Sequence, residues 1–205
     1  MTIKAVIFDI GRVLIDFNFR AGFQRFAGHT PYTPEEALQR MKAAGLFRGT
    51  NLGELLPWSL YLRTRELLEF SPSVDFHMFR AVYGAIFTEK VEMTDLMRRL
   101  APRYQLALLS NTDMLHRHVL EEQFEHLHLA TVRVYSDVER MMKPDVRIYQ
   151  TVLARLGGVA PTEAVFLDDL PENVAGARAA GLHAFQFTTR AEAESALTAL
   201  GVVWE

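Results

Sequence analysis

The chain has 205 residues, of which 49% are hydrophobic and 23% charged, with a formal charge of −3 and no cysteine. That length holds one substantial core plus a modest insertion, and the composition is that of a globular chain, not a disordered or fibrous one. The slightly acidic balance offers no basic field for a polyanion, which argues against nucleic acid as a partner, and the missing thiols exclude disulfides, thiolate metal sites and cysteine nucleophiles.

The first apolar run, Ile3 to Phe8, ends in Asp9 and Gly11 and reads as a buried strand entering a loop. It is too short to span a membrane and lacks a signal-peptide pattern, so a cytoplasmic protein without membrane contact is expected. From Asp16 to Phe87 no strand-like run is expected. Thr33-Pro34-Glu35-Glu36 combines a capping box with Pro at the first helical position, and Leu52 to Leu68 and Val74 to Phe87 carry further apolar stripes. Strand grammar returns at Gln105–Leu109 before Ser110-Asn111, at Ala164–Leu167 before Asp168-Asp169, and at His183–Phe187 before Thr188-Thr189. Helical periodicity lies between these runs, as at Asp145 to Leu156 and Pro171 to Ala180. The alternation predicts an α/β fold: a Rossmann-like, doubly wound parallel sheet with an inserted all-helical cap. The core is assigned to 1–15 and 88–205 and the cap to 16–87.

Ligands of such sheets sit beyond the carboxyl ends of the strands, where Asp9, Ser110, Asp168 and Asp169 all fall. Each Asp alone reads equally well as the start of a turn. Three polar clusters at one sheet edge point to chemistry. Adjacent carboxylates oppose each other's ionisation, and a hard cation relieves that cost. Mg²⁺ is therefore the expected cofactor, with Asp9 and Asp169 as side-chain ligands, the Gly11 carbonyl as a third and Asp168 acting through water. A carboxylate attacking phosphorus also needs a cation and donors on the phosphoryl oxygens, roles assigned to Lys143, Ser110 and Asn111. Asn173 is placed to orient the acidic pair.

Phe8-Asp9-Ile10-Gly11-Arg12-Val13-Leu14, Leu109-Ser110-Asn111-Thr112, Lys143-Pro144-Asp145 with Ile148-Tyr149, and Phe166-Leu167-Asp168-Asp169 through Asn173 resemble the four ordered motifs of the haloacid dehalogenase-like hydrolases. Within them the chain looks closest to a branch that includes bacterial alpha-glucose-1-phosphate phosphatase and the N-terminal phosphatase domain of mammalian soluble epoxide hydrolase. The resemblance implies hydrolysis of a small phosphorylated metabolite, sugar phosphates among them, with Asp9 as nucleophile and an aspartyl-phosphate intermediate. It implies Gly11 and Arg12 beside Ser110, Asn111 and Lys143 around the phosphate. It says nothing about oligomeric state.

Most phosphatases of that family carry a second Asp two residues after the nucleophile as general acid and base; here the position is Gly11, with Asp16, Arg12 or a cap residue as candidate substitutes. Two rival readings arise: a 2-haloacid dehalogenase, and a phosphometabolite-binding module with little turnover. Arg140 stands where related sequences usually have Gly, and a changed turn is expected there. His116, His118, His126 and His128 read as ordinary surface residues. Trp58, Tyr61, Phe70, Phe76, Phe79 and Phe87 read as packing residues, with lining of the cap pocket as the alternative.

Overall fold

Strands and helices alternate along the chain in the computed structural model, which describes residues 2–204. The first part comprises β1 (Ala5–Phe8), β2 (Ile15–Phe17), α1 (Phe19–Gln24), α2 (Pro34–Ala43), α3 (Leu46–Asn51), α4 (Pro57–Leu67), α5 (Phe76–Gly84), β3 (Phe87–Glu89) and α6 (Val91–Leu100). The second comprises β4 (Gln105–Ser110), α7 (Met114–Gln123), β5 (Val132–Tyr135), α8 (Ser136–Glu139), α9 (Val146–Arg155), β6 (Ala164–Asp168), α10 (Pro171–Ala179), β7 (His183–Gln186) and α11 (Arg190–Ala199).

Five strands form one parallel sheet in the order β5-β4-β1-β6-β7. Alternation along each strand divides the core. Val6, Phe8, Leu106 and Leu108 face Met93, Leu96 and Met97 of α6, while Ala5, Ile7, Ala107 and Leu109 face Ile148, Tyr149 and Val152 of α9. Both faces are covered, which is why the strands lack a polar side. The fold class is the expected Rossmann-like α/β arrangement, and no helix among the described residues is long and apolar enough to cross a membrane. Strand order positions the site. Because β1 lies between β4 and β6, the residues leaving these three strands, Asp9, Ser110 and Asp168, emerge side by side.

Helices α1 to α5 lie between β2 and β3 and enclose a separate apolar cluster that includes Phe26, Met41, Leu60 and Phe79. The capping box stands as expected: Thr33 Oγ1 accepts from the Glu36 amide at 3.3 Å, and Glu36 accepts from the Thr33 amide at 2.8 Å. The expectation of no strand between Asp16 and Phe87 is corrected at both ends. β2 and β3 form an antiparallel ribbon pairing Ile15 with Glu89 and Phe17 with Phe87. Each strand is only three residues long, and it is pairing with a segment some 70 positions away that makes either one a strand. The edge strand β5, Val-Arg-Val-Tyr, also lies outside the expected set; a charged residue interrupts its apolar run.

The Arg140 turn is a second correction. Arg140 keeps φ 55° and ψ 30°, the left-handed conformation glycine adopts freely, so the turn is unchanged and the side chain bears a cost of about 1–3 kcal/mol.

Candidate active site

Lys143 holds the centre of the site. Its ammonium lies 2.8 Å from Asp9 Oδ1 and 2.6 Å from Asp168 Oδ2, and its side chain is almost wholly buried. Two anchors place it. The Asn111 side chain accepts from the Lys143 amide at 2.9 Å and donates to its carbonyl at 3.0 Å, tying the loop after β4 to the turn before α9. Ser136 Oγ adds a similar stitch to the backbone of Thr112, at 3.0 and 3.1 Å. The Asn111 side chain therefore positions Lys143. Ser110 is buried at the end of β4 and lines the adjoining cavity.

Asp168 is fully buried, and both its oxygens are engaged: one by Lys143, the other by the Leu170 amide and Asn173 Nδ2, each at 2.9 Å. Asn173 thus holds Asp168 from the first turn of α10. Asp168 Oδ2 carries Lys143 as its one protein donor among the described residues, so a lone pair there still faces the other two carboxylates. Asp169 is half-buried and carries no ion pair among the described residues. One oxygen from each of Asp9, Asp168 and Asp169 lies within 4.8 Å of the others.

The electrostatics reflect this crowding. Burial, reinforced by the negative charge of Asp168 and opposed by Lys143, pushes the Asp9 carboxyl up to about 7. Burial and Asp168 also raise Asp169. Burial disfavours the Lys143 ammonium, yet the carboxylates of Asp9 and Asp168 overcome this and raise it, so it stays charged. Three carboxylates against one lysine leave surplus negative charge, and the oxygen-only donor set suits a hard divalent cation.

Gly176 on α10 sets the height of this centre. A Cβ there would stand 2.6 Å from the Pro144 carbonyl oxygen and 3.0 Å from the Tyr149 ring, with backbone as the main obstacle. Gly176→Ala is expected to push the Lys143-Pro144 turn outward, costing about 1–3 kcal/mol. Calorimetry measures the first effect. A fall in kcat of up to about 100-fold, from misplacement of Lys143, measures the second.

Beside Asp9 opens a cavity of about 220 Å³, whose core side includes Ile10, Gly11, Ser110 and Thr112 and whose other wall includes Phe17, Phe19, Phe47 and Phe87. A Cβ on Gly11 would meet the Phe17 ring at 3.0 Å, so this ring occupies the space next to the missing acid. The candidate substitutes for that acid lie elsewhere. Asp16 pairs with Lys90 at 3.3 Å, and Arg12, exposed and in a left-handed turn, rests its guanidinium 4.8 Å over the Phe17 ring at the rim. Of the six aromatic residues named from sequence, only Phe87 lines the cavity; Tyr61, Phe70 and Phe79 pack the helical cluster.

Sequence reasoning missed the inner wall. Asp113 caps α7, accepting from the amides of Leu115 and His116 at 2.9 and 3.0 Å. Its other oxygen lies 2.7 Å from His116 Nδ1 and accepts from the Tyr83 hydroxyl at 3.1 Å. His116 Nε2 faces the Tyr83 carbonyl at 3.0 Å, and the two rings stack 4.2 Å apart. His116 and His126 are therefore buried, not surface residues as expected. Asp113 and His116 share a helix face three residues apart, a signal available in the sequence; Tyr83 comes from α5, distant in sequence, and left none.

Burial alone would raise the Asp113 carboxyl, but His116, the helix amides and the Tyr83 hydroxyl outweigh it and hold it below the usual carboxylate range. A carboxyl depressed in the folded state contributes stability above its unfolded value and loses it as pH falls through the folded one. Asp113→Ala is thus expected to lower stability by about 2–4 kcal/mol at pH 7, through the lost cap and the unpaired His116 and Tyr83. Its deficit relative to the parent should shrink below about pH 4, as followed by thermal unfolding across pH.

A family model described as haloacid dehalogenase-like hydrolase matches residues 3–181. Phosphatase MT3486 of Mycobacterium tuberculosis is 29% identical over 90% of this chain and 87% of its own length. The sesquiterpene phosphatase astK of Aspergillus oryzae is 27% identical, covering 91% of each. Among solved structures, a HAD family enzyme of Bacteroides thetaiotaomicron superposes with a TM-score of 0.79 at 21% identity, covering 92% of this chain and 96% of that one, in a complex with magnesium and inorganic phosphate.

Proposed function

Because the chain belongs to the haloacid dehalogenase-like hydrolases, we propose that it is a magnesium-dependent phosphatase acting on a small phosphomonoester, with Asp9 as the nucleophile. The observation that carries this is the junction of Asp9, Lys143 and Asp169 at the carboxyl rim of the three central strands. The phosphatase names of the two relatives, and the magnesium and phosphate bound by the Bacteroides enzyme, support the same reading.

Asp9 and Asp169 would hold the cation, with the Gly11 carbonyl beside them. When bound, Mg²⁺ would neutralise the surplus carboxylate charge and let the dianionic phosphoryl group approach. The protein's own groups do the rest. The Ile10 amide, 2.8 Å from Asp9 Oδ1, and the Lys143 ammonium fix the attacking carboxylate. Lys143, the Ser110 hydroxyl and backbone amides near Gly11 and Asn111 receive the phosphoryl oxygens, with Arg12 at the rim. Attack on phosphorus gives an aspartyl-phosphate, and water then releases phosphate and restores Asp9. Helices α1 to α5 form the cap that keeps bulk water away during attack. The cluster of three carboxylates favours this over dehalogenation, which has no use for a cation site and must admit a substrate carboxylate.

Release of inorganic phosphate from a panel of phosphomonoesters tests the proposal. Activity is expected with Mg²⁺, to vanish on chelation and to return when Mg²⁺ is restored; release unaffected by chelation would overturn the metal assignment.

A further inference from the structure

The cavity beside Asp9 has walls whose polar groups are largely satisfied by one another. Asp113, His116 and the Tyr83 hydroxyl are bonded within the wall, and the Asn111 side chain is held by Lys143. What faces the interior is mainly ring and aliphatic surface, with the Ser110 and Thr112 hydroxyls on the core side. Phe19 and Phe87 set their edges to His116 at 5.7 and 5.2 Å, and Phe47 packs on Phe19 at 5.5 Å. On the cap side only Asn51 adds a polar side chain not already bonded in the wall. A sugar would bury several hydroxyls here with too few partners, each at a cost. An arene exchanges water for ring faces and edges. Size agrees. A cavity of about 150 Å³ accepts benzene, so about 220 Å³ accommodates one substituted ring.

An independent observation concerns the leaving oxygen. Gly11 supplies no proton, and Phe17 fills the neighbouring space. A departing alkoxide, with an acidity near that of water at about 16, needs that proton far more than a phenolate at about 10.

Resting on the phosphatase reading, we propose that the substrate is an aryl phosphomonoester, whose ring occupies the cavity lined by Phe17, Phe19, Phe47, Tyr83 and Phe87 and whose oxygen departs as phenolate. The Asp9 oxygen forms its bond to phosphorus as the bond from phosphorus to the aryl oxygen breaks, the electron pair leaving with the phenolate. Water then adds its oxygen to phosphorus, releasing inorganic phosphate and the Asp9 carboxylate, and its proton balances the phenolate.

Phosphonates test the cavity apart from leaving-group reactivity, because their phosphorus–carbon bond is not cleaved. In Mg²⁺, phenylphosphonate is expected to bind about tenfold or more tightly than methylphosphonate by titration calorimetry. Phe47→Ala should reduce that ratio several-fold. Phenyl phosphate should exceed glucose 1-phosphate in kcat/KM. Equal binding of the two phosphonates, or a preference for glucose 1-phosphate, overturns the aryl assignment while phosphate binding and turnover keep the phosphatase reading intact. If neither phosphonate nor inorganic phosphate binds in Mg²⁺ and no ester is cleaved, both readings fall.

Discussion

Asp9→Asn is expected to yield a folded protein whose phosphate release falls by about 10⁴-fold or more, since an amide neither attacks phosphorus nor offers the charge a cation needs. The fold should survive for a local reason. Asp9 lies beyond the last residue of β1, and its backbone amide bonds to the Leu167 carbonyl whatever the side chain. The substitution also removes one of the carboxylates crowded around Asp168, so a stability equal to or above that of the parent in metal-free buffer is the expected companion. Persistent activity in the folded variant would remove Asp9 from the role of nucleophile.

Lys143→Met carries the second large effect, and here stability and activity fall together. The lysine is the only cation within bonding distance of Asp9 and Asp168 among the described residues, and both carboxylates are buried. Removing one partner of a buried ion pair costs about 3–5 kcal/mol, because the remaining charge has neither water nor counter-charge. In a chain of this length that corresponds to a fall in Tm of about 6–20 °C. Mg²⁺ should restore part of the deficit by supplying positive charge to the same carboxylates, so its stabilising effect is expected to be larger in the variant than in the parent. Turnover should remain lost, since the phosphoryl oxygens and Asp9 lose the same donor. Lys143→Arg is not expected to rescue it: the lysine is enclosed, and a planar guanidinium does not fit a site built around a point charge. A variant as stable as the parent would show that Asp9 and Asp168 do not depend on this ion pair.

The core strands are legible because each consists of a run too apolar for any exposed face, ended by a polar residue that cannot stay in the sheet. Asp9, Ser110 and Asp168 stand out for the same reason. The two short strands β2 and β3 are not legible, as three residues carry no period and their pairing joins distant parts of the chain. Burial explains the misread histidines. The sequence around His116 is polar, with Arg117, His118 and Glu121 nearby, and it is the Tyr83 ring of α5, with Phe19 and Phe87, that covers it. Residue type alone does not show that Asn111 and Asp168 are both bonded to Lys143, a pairing that depends on two loops meeting.

By itself the sequence determined the fold class, four of the five strands of the parallel sheet and the identity of the residues that end them, because hydrophobic period and strand-end polarity are local properties. Which carboxylates remain free, which residue carries the buried charge and what surrounds the substrate's leaving group were decided only by tertiary structure. Those outcomes depend on the order β4-β1-β6, on Gly176 admitting the Lys143 turn, and on Phe17 and Tyr83 reaching the rim from segments that approach it only after the chain has folded. Desolvation and donor competition arise between side chains distant in sequence, and no local pattern encodes them.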